Sequence, residues 1–210
     1  MPPSAPPDPT LAWYDAEAPA LLARYEAIDS ARLHAALIPH LPAQPAGRAA
    51  LDVGAGTGRD AAWLAGMGWE VLAAEPAPSL RALGQATHAH SSVRWIDDRL
   101  PDLVAVRALG RIFDLILLSA VWMHLPPEAR PRAFAALAGL LAPGGVLALL
   151  LRNGAAGAAR HMWPTSSEEV AALAEAHGLT TLHDAPSEDQ QGRAEVTWRT
   201  VILRRPASAV

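Results

Sequence analysis

Residues 50–59 read ALDVGAGTGR, and this stretch decides the fold of the chain. An apolar run, 49–53, leads directly into three glycines at alternate positions, Gly54, Gly56 and Gly58, and a stretch of helical character follows. Glycine permits a tight turn and lets a ligand approach the backbone, and the N-terminus of the next helix offers unpaired N–H groups. The segment therefore predicts a strand–loop–helix unit with a ligand-binding turn.

Two acidic residues lie close enough to this loop in the sequence to contact a ligand bound there. Glu75 ends the next apolar run, 17 residues after Gly58, where a carboxylate can accept hydrogen bonds from both hydroxyls of a ribose. Asp52 lies two residues before the first glycine, and an acid there suits a ligand with an ammonium group better than one with a pyrophosphate. The spacing also differs from the dinucleotide pattern G-x-G-x-x-G. These features favour S-adenosylmethionine (SAM), an amino acid joined to a nucleoside; a turn without a ligand is the alternative.

Outside the loop, short apolar runs alternate with helical stretches. Such alternation predicts a doubly wound α/β fold with a mostly parallel sheet and helices on both faces. The single domain is expected to comprise a disordered tail, 1–10, a helical lid, 11–47, and a ligand-binding domain, 48–210. The predicted strands are 49–53, 70–74, 93–96, 113–119, 146–151, 179–183 and 196–203, and the predicted helices are 58–67, 79–86, 126–141 and 166–177.

Composition excludes several kinds of chemistry. The chain has no cysteine, and all 17 of its basic residues are arginine. Thiolate nucleophiles, zinc–thiolate sites, Schiff-base lysines and a P-loop lysine are therefore excluded, and no metal site is expected. The net charge of −4 and the lack of a basic run argue against a nucleic-acid partner. No signal peptide and no apolar stretch of about 18 residues is found, so a cytoplasmic protein without a membrane partner is expected.

The loop resembles motif I of the class I SAM-dependent methyltransferases, and the likeness extends from about residue 48 to 205. Residues 93–101, 114–119, 124–126 and 141–147 resemble the later strand ends and turns of that Rossmann-like family. The resemblance implies a seven-stranded sheet whose strand 7 is antiparallel, with SAM as cofactor and S-adenosylhomocysteine as product. Pro76 departs from the more flexible residue of many members. The implied cofactor-binding residues are Asp52, Gly54, Ala55, Gly56, Thr57, Gly58, Glu75, Pro76, Asp97, Asp98, Leu100 and Ser119.

The acceptor is expected beyond the ends of strands four and five, because ligands of open α/β sheets bind at the carboxyl ends of the strands. His124 is the candidate general base, although its ring could equally cap or pack a helix. Arg152 could clamp a carboxylate in bidentate fashion, or pair with a surface acid. These two are the catalytic candidates, and Trp198 is expected in the core. The candidate substrate-binding residues are Tyr14, Tyr25, Trp122, Met123, Asn153 and His161, with Trp13, Met162 and Trp163 nearby.

The sequence thus favours O- or N-methylation of a small molecule, and Arg152 favours a carboxylic acid. Two alternatives keep the cofactor: a cyclase or lyase that consumes SAM and releases methylthioadenosine, and a non-catalytic SAM-binding regulator. A nucleic-acid methyltransferase is least favoured, since residues 119–122 read SAVW where a base-handling motif would be expected. The chain is expected to be a monomer or a homodimer.

Overall fold

The computed structural model describes residues 8–154 and 160–207. A seven-stranded sheet with the strand order β3-β2-β1-β4-β5-β7-β6 forms its centre. Strands β1 to β5 are parallel, and β7 runs antiparallel to both β5 and β6. The strands are β1 (Ala49–Val53), β2 (Glu70–Ala74), β3 (Arg94–Ile96), β4 (Phe113–Ser119), β5 (Leu141–Asn153), β6 (Thr180–Ser187) and β7 (Thr197–Arg204). The predicted fold class is therefore confirmed.

Seven α-helices surround the sheet in the described part of the chain. They are α1 (Pro9–Glu26), α2 (Ser30–Leu33), α3 (Arg59–Gly66), α4 (Pro78–Thr87), α5 (Val104–Ala108), α6 (Arg130–Leu140) and α7 (Ser167–Ala176). Helix α1 begins inside the range expected to be disordered, because Asp8 caps it by accepting a hydrogen bond from the amide of Thr10 and Pro9 occupies its first position. Residues 1–7, the rest of that predicted tail, lie outside the described residues.

Strand β5 is longer than the sequence predicts. It begins at Leu141 and includes Pro143, Gly144 and Gly145, which lie between the predicted helix 126–141 and the predicted strand 146–151. Phe113 pairs with Leu141 and the register then shifts before Leu115, so the strand continues through an irregularity of the kind that glycine favours. Helix α5 is also missed by the sequence, since five residues give too short a period to recognise.

Two apolar cores cover the faces of the sheet, and a third holds α1. One face packs against α5, α6 and α7, with Phe113, Trp122 and Phe134 among its largest buried side chains. The other packs against α3. The third cluster joins Ala18 and Leu21 of α1 to residues of the β2–α4 connection and α4. Helix α1 thus lies over the carboxyl ends of the first strands. No helix among the described residues is long and apolar enough to cross a membrane.

Candidate functional site

A cavity of about 430 Å³ opens at the carboxyl ends of β1, β2, β4 and β5. Its floor is the glycine loop and the strand ends, one wall is α1, and another is the segment 188–193 between β6 and β7. These two walls contact each other, because Arg24 of α1 donates to the side chain of Gln191. Arg32 of the following helix α2 also pairs with Glu188 of the segment. The cavity lies where ligands bind in open α/β sheets.

The three glycines of the loop have different tasks, although all have positive φ. A Cβ on Gly54 would lie 2.5 Å from Val121, so this glycine permits close packing of the chain after β4. A Cβ on Gly58 would lie 2.6 Å from the Trp95 ring, and Gly58 does not line the cavity. Only Gly56 has free space on the cavity side, with the Tyr25 ring 3.8 Å away. Gly58 thus packs against Trp95, and its role in cofactor binding stays a prediction.

Glu75 ties the loop to the end of β2. One carboxylate oxygen accepts a hydrogen bond from the amide of Gly56 and the other from the amide of Ala77, both at 2.7 Å. Burial raises the pKa of this carboxyl from 4.5 to about 7, although the two amides act in the opposite direction. A carboxylate has about four acceptor positions, so further donors from a ligand can still bind here.

Asp52 is almost fully buried at the end of β1, with 1% of its surface exposed. Within the described residues, its Oδ2 atom has no hydrogen-bond partner. Burial raises the pKa of Asp52 well above its ordinary value, and the neighbouring carboxylate of Asp60 adds to this effect. A buried carboxylate with an unpaired oxygen is a site for a cationic or hydrogen-bond-donating ligand group.

A buried polar network supports the loop from below, and the sequence analysis missed it. Asp60 accepts hydrogen bonds from the Ser30 hydroxyl and the Arg59 guanidinium, and its Oδ2 lies 3.0 Å from Nε2 of His34. Burial raises the pKa of Asp60, but the interactions with His34 and Arg59 outweigh it, so the pKa lies below its ordinary value. Arg59 also donates to the backbone carbonyl of Tyr25 and lines the cavity. The adjacent Arg-Asp pair at the start of α3 is the signal that could have revealed it.

His124 is held in one tautomer by its two partners. Its Nδ1 atom lies 3.2 Å from the carbonyl oxygen of His161, and a carbonyl can only accept, so Nδ1 carries the hydrogen. In the neutral ring Nε2 is therefore an acceptor, and the hydroxyl of Tyr14 lies 2.9 Å from it. Burial lowers the pKa of His124, and the nearby guanidinium groups of Arg160 and Arg152 lower it further. The ring is thus neutral near pH 7 with a basic nitrogen on the cavity side.

Arginine side chains gather at the end of the cavity beyond β5. Arg152 is 7% exposed and donates to the Met162 sulfur and the Gly154 carbonyl. Arg160 stacks on the ring of Trp13 with its guanidinium carbon 4.2 Å from the ring centroid. This end of the cavity is therefore electropositive.

The segment 188–193 adds a third guanidinium to this end. Arg193 binds Asp189 through two nitrogen atoms, and the indole N–H of Trp198 donates to the same carboxylate. Trp198 lines the cavity, which corrects its predicted place in the core.

Fifteen of the predicted site residues lie on the cavity wall. They are Asp52, Gly54, Ala55, Gly56, Thr57, Glu75, Pro76, Leu100, Ser119, Tyr14, Tyr25, Met123, His124, Arg152 and His161. The sequence brings them from six separate segments, so the fold alone makes them neighbours. The lining residues that the sequence analysis missed include Arg59, Asp60, Arg160, Asp189, Arg193 and Trp198.

Four further predicted residues have other contacts. Asp97 is exposed and pairs with Arg81, and Asp98 accepts from the amides of Arg99 and Val106 to fix the turn before α5. Trp122 is 1% exposed and packs edge-on against Phe134 in the core. Asn153 exchanges two hydrogen bonds with the backbone of Thr165. None of the four is among the residues that line the cavity, and their roles in binding stay predictions.

Metal binding has no support from the described side chains, which form no group of three or more histidine, aspartate or glutamate residues able to hold an ion. The cavity therefore has to be interpreted from its carboxylates, arginines and His124.

Comparisons with known proteins agree with this geometry. Residues 50–145 match the methyltransferase domain family. The fold is similar to that of the magnesium protoporphyrin IX methyltransferase from Synechocystis PCC 6803 with bound SAM, with a TM-score of 0.70 at 14% identity, covering 96% of this chain and 99% of that one. It is also similar to the 1,6-didemethyltoxoflavin-N1-methyltransferase from Burkholderia thailandensis, with a TM-score of 0.64 at 21% identity and coverages of 98% and 94%. No curated protein sequence matches the chain.

Proposed function

This chain carries a SAM-dependent methyltransferase domain of the class I, Rossmann-like family, and on that premise we propose that it methylates a hydroxyl or amine of a small-molecule acceptor with His124 as the base. The observation that carries the proposal is the Tyr14–His124 hydrogen bond inside the cavity. It lies near the glycine loop, in one continuous space. Small acceptors are also named for similar structures, a porphyrin and a toxoflavin precursor.

The residues at the glycine loop fit SAM. Oδ2 of Asp52, buried and without a partner among the described residues, can accept a hydrogen bond from the ammonium of the cofactor. Glu75 has acceptor positions left for the ribose hydroxyls, and Gly56 leaves the space that a nucleoside needs. When bound, SAM supplies a methyl group already activated on a sulfonium, so the protein mainly has to orient the acceptor.

Proton transfer is the task that remains for the protein. A neutral hydroxyl or amine loses a proton when it accepts a methyl group, and the lone pair of Nε2 in His124 receives this proton, directly or through the Tyr14 hydroxyl. SAM, when bound, would give up its methyl group to the acceptor and would be released as S-adenosylhomocysteine. The His161 carbonyl holds Nδ1–H in place and stabilises the imidazolium that results.

Product analysis tests the proposal. We expect methyl-labelled SAM, incubated with the protein and a small-molecule extract, to give labelled metabolites and an equal amount of S-adenosylhomocysteine. Methylthioadenosine as the product would instead establish the cyclase or lyase reaction. Tight SAM binding with no turnover on any extract would establish a non-catalytic regulator.

A His124→Asn variant tests the base. Asparagine retains a donor for the His161 carbonyl but lacks the basic nitrogen. We expect kcat to fall by about 10²–10⁴-fold with SAM affinity unchanged. If the proton passes directly from the acceptor to His124, the Tyr14→Phe variant should show a smaller decrease in kcat. His90→Asn, at an exposed position, is the control. An unchanged kcat in His124→Asn would remove His124 from the mechanism.

A further inference from the structure

The arginine-rich end of the cavity is separate from the cofactor end. In the sheet register, Asp52 on β1 pairs with Leu117 on β4, and Leu117 pairs with Ala148 on β5. Arg152 lies four residues beyond Ala148 and two strands away from Asp52. Strand spacing of about 4.8 Å and a rise of about 3.3 Å per residue separate the two backbone positions by ~10 Å across the sheet and ~13 Å along it. A ligand at Arg152 is therefore remote from the group that Asp52 binds.

Three guanidinium groups lie around this end, and aromatic rings contact two of them. Arg160 stacks on Trp13 of α1, with Tyr14 5.9 Å away. Trp198 faces Arg152 in the β5–β7 register, and the guanidinium of Arg193 lies 5.9 Å from the Trp198 ring. All three arginines line the same cavity. Stacking fixes a planar guanidinium in place and leaves its N–H edge available for an oxyanion.

The acids that line this end among the described residues are bound by other arginines. Asp189 is bound in bidentate fashion by Arg193, and Glu188 pairs with Arg32 outside. The pKa of Arg152 is lowered by burial and then by the charges of Arg193 and Arg160, while Tyr14 and Asp189 act in the opposite direction. Repulsion between partly buried cations decreases when an anion binds between them, and guanidinium groups bind carboxylates and phosphates with strong, directional hydrogen bonds.

We propose that Arg152 and Arg160 form a subsite for an oxyanion of the methyl acceptor, so that the substrate is an organic acid anchored beyond β5 with its nucleophile at Tyr14 and His124. The proposal rests on the proposed function. The oxyanion is an anchor and is not the atom that is methylated, because an ionised carboxylate needs no base. The body of the acid then lies against Met123 and Trp198, which line the same cavity.

Matched aromatic ligands test the subsite without knowledge of the natural acceptor. The protein is saturated with S-adenosylhomocysteine and titrated by calorimetry with benzoate, phenyl phosphate and neutral benzamide. We expect benzoate or phenyl phosphate to bind at least tenfold more tightly than benzamide, and the tighter of the two identifies the anion as carboxylate or phosphate. Equal binding of all three, or binding of none, would overturn the proposal.

Arginine variants then locate the anion. Arg152→Gln and Arg160→Gln should each weaken binding of the preferred anion at least tenfold, and Arg152→Lys should restore only part of it because the bidentate fork is lost. Arg48→Gln, at an exposed salt bridge with Asp114, is the control. S-adenosylhomocysteine affinity should stay constant in every variant. Anion binding that the variants leave unchanged would place the anion elsewhere.

The two proposals fail in different ways. If the wild-type protein does not bind the cofactor or does not transfer methyl groups, the proposed function is wrong. Anion binding is measured independently of turnover. If labelled SAM yields a product that is neutral at pH 7 and whose unmethylated precursor is also neutral, methyl transfer stands and the oxyanion subsite is refuted.

Discussion

The Glu75 carboxylate joins the glycine loop to the end of β2 by hydrogen bonds, and it also titrates near neutral pH. Its raised pKa of about 7 means that the folded protein holds a proton that the unfolded chain releases above pH 4.5. The contribution of Glu75 to the free energy of unfolding is therefore present at low pH and is lost as pH rises from about 4.5 to 7. The difference between the unfolded and folded pKa values of Glu75 implies a contribution of roughly 3 kcal/mol at most to the free energy of unfolding.

We therefore predict that Glu75→Gln changes the pH dependence of stability in the cofactor-free protein. The unfolding free energy of wild type minus that of the variant should decrease between pH 5 and 7.5, measured by urea denaturation. The exposed Glu17→Gln is the control for general charge effects. A difference that stays constant across this range would show that Glu75 is ionised throughout.

Alanine variants of Gly58 and Gly178 separate the stability cost of backbone strain from that of side-chain packing. Both have positive φ, +81° and +69°, but a Cβ on Gly58 would meet the Trp95 ring whereas one on Gly178 would meet nothing within 4 Å. Gly178→Ala should cost about 1–2 kcal/mol of stability through strain alone. Gly58→Ala should cost a further ~1–3 kcal/mol from the steric clash. Equal melting temperatures for the two variants would mean that Trp95 moves aside freely.

At the scale of elements, helix α1 caps the N-terminus of helix α4. Helix α4 has no side-chain cap of its own at Ala77, and Asp15 of α1 accepts the hydrogen bond from the amide of Ser79 at 2.7 Å. The same two helices share the apolar cluster around Leu21 and Leu80. Docking of α1 therefore orders both the cavity wall and the start of α4.

An Asp15→Ala variant is predicted to weaken this docking. Loss of a capping interaction costs about 0.5–2 kcal/mol, which should appear as faster hydrogen exchange at Ser79 and along α1, with the β1 and β4 amides unaffected. Turnover should fall, because α1 carries Tyr14. Glu17→Ala, on the exposed side of the same helix, is the control. Unchanged exchange at Ser79 would show that the contact does not stabilise the helix start.

For the whole molecule, cofactor binding should raise the melting temperature. A ligand at 100 times its Kd stabilises the folded state by about 2.7 kcal/mol, which for a chain of this size is an increase of roughly 5–10 °C. In Asp52→Asn we expect the SAM-induced increase to shrink towards that given by methylthioadenosine, which lacks the amino-acid group. The increase with methylthioadenosine itself should not change. A variant that keeps the full SAM effect would exclude Asp52 as the ammonium partner.

Local pattern was enough to predict most of the framework. Strands β1, β2 and β4 have the predicted limits, because buried parallel strands are short apolar runs between polar turns. The glycine loop with Asp52 and Glu75 follows from spacing within one βαβ unit, and it predicted the methyltransferase domain that residues 50–145 match. These features depend on residues close together in the chain, which is where sequence periodicity is informative.

Tertiary structure decided which side chains face the cavity and in what state. Trp122 and Trp198 were assigned the opposite way round, because burial depends on which helices cover each strand end, and residues near in sequence do not specify that. The tautomer of His124 is fixed by Tyr14, 110 residues away, and by His161. The arginine cluster likewise unites side chains from β5, the segment after it and the β6–β7 connection. Sequence determines the elements and the cofactor loop; long-range packing determines burial, partners and charge at the acceptor end, because those depend on contacts made only when the chain is folded.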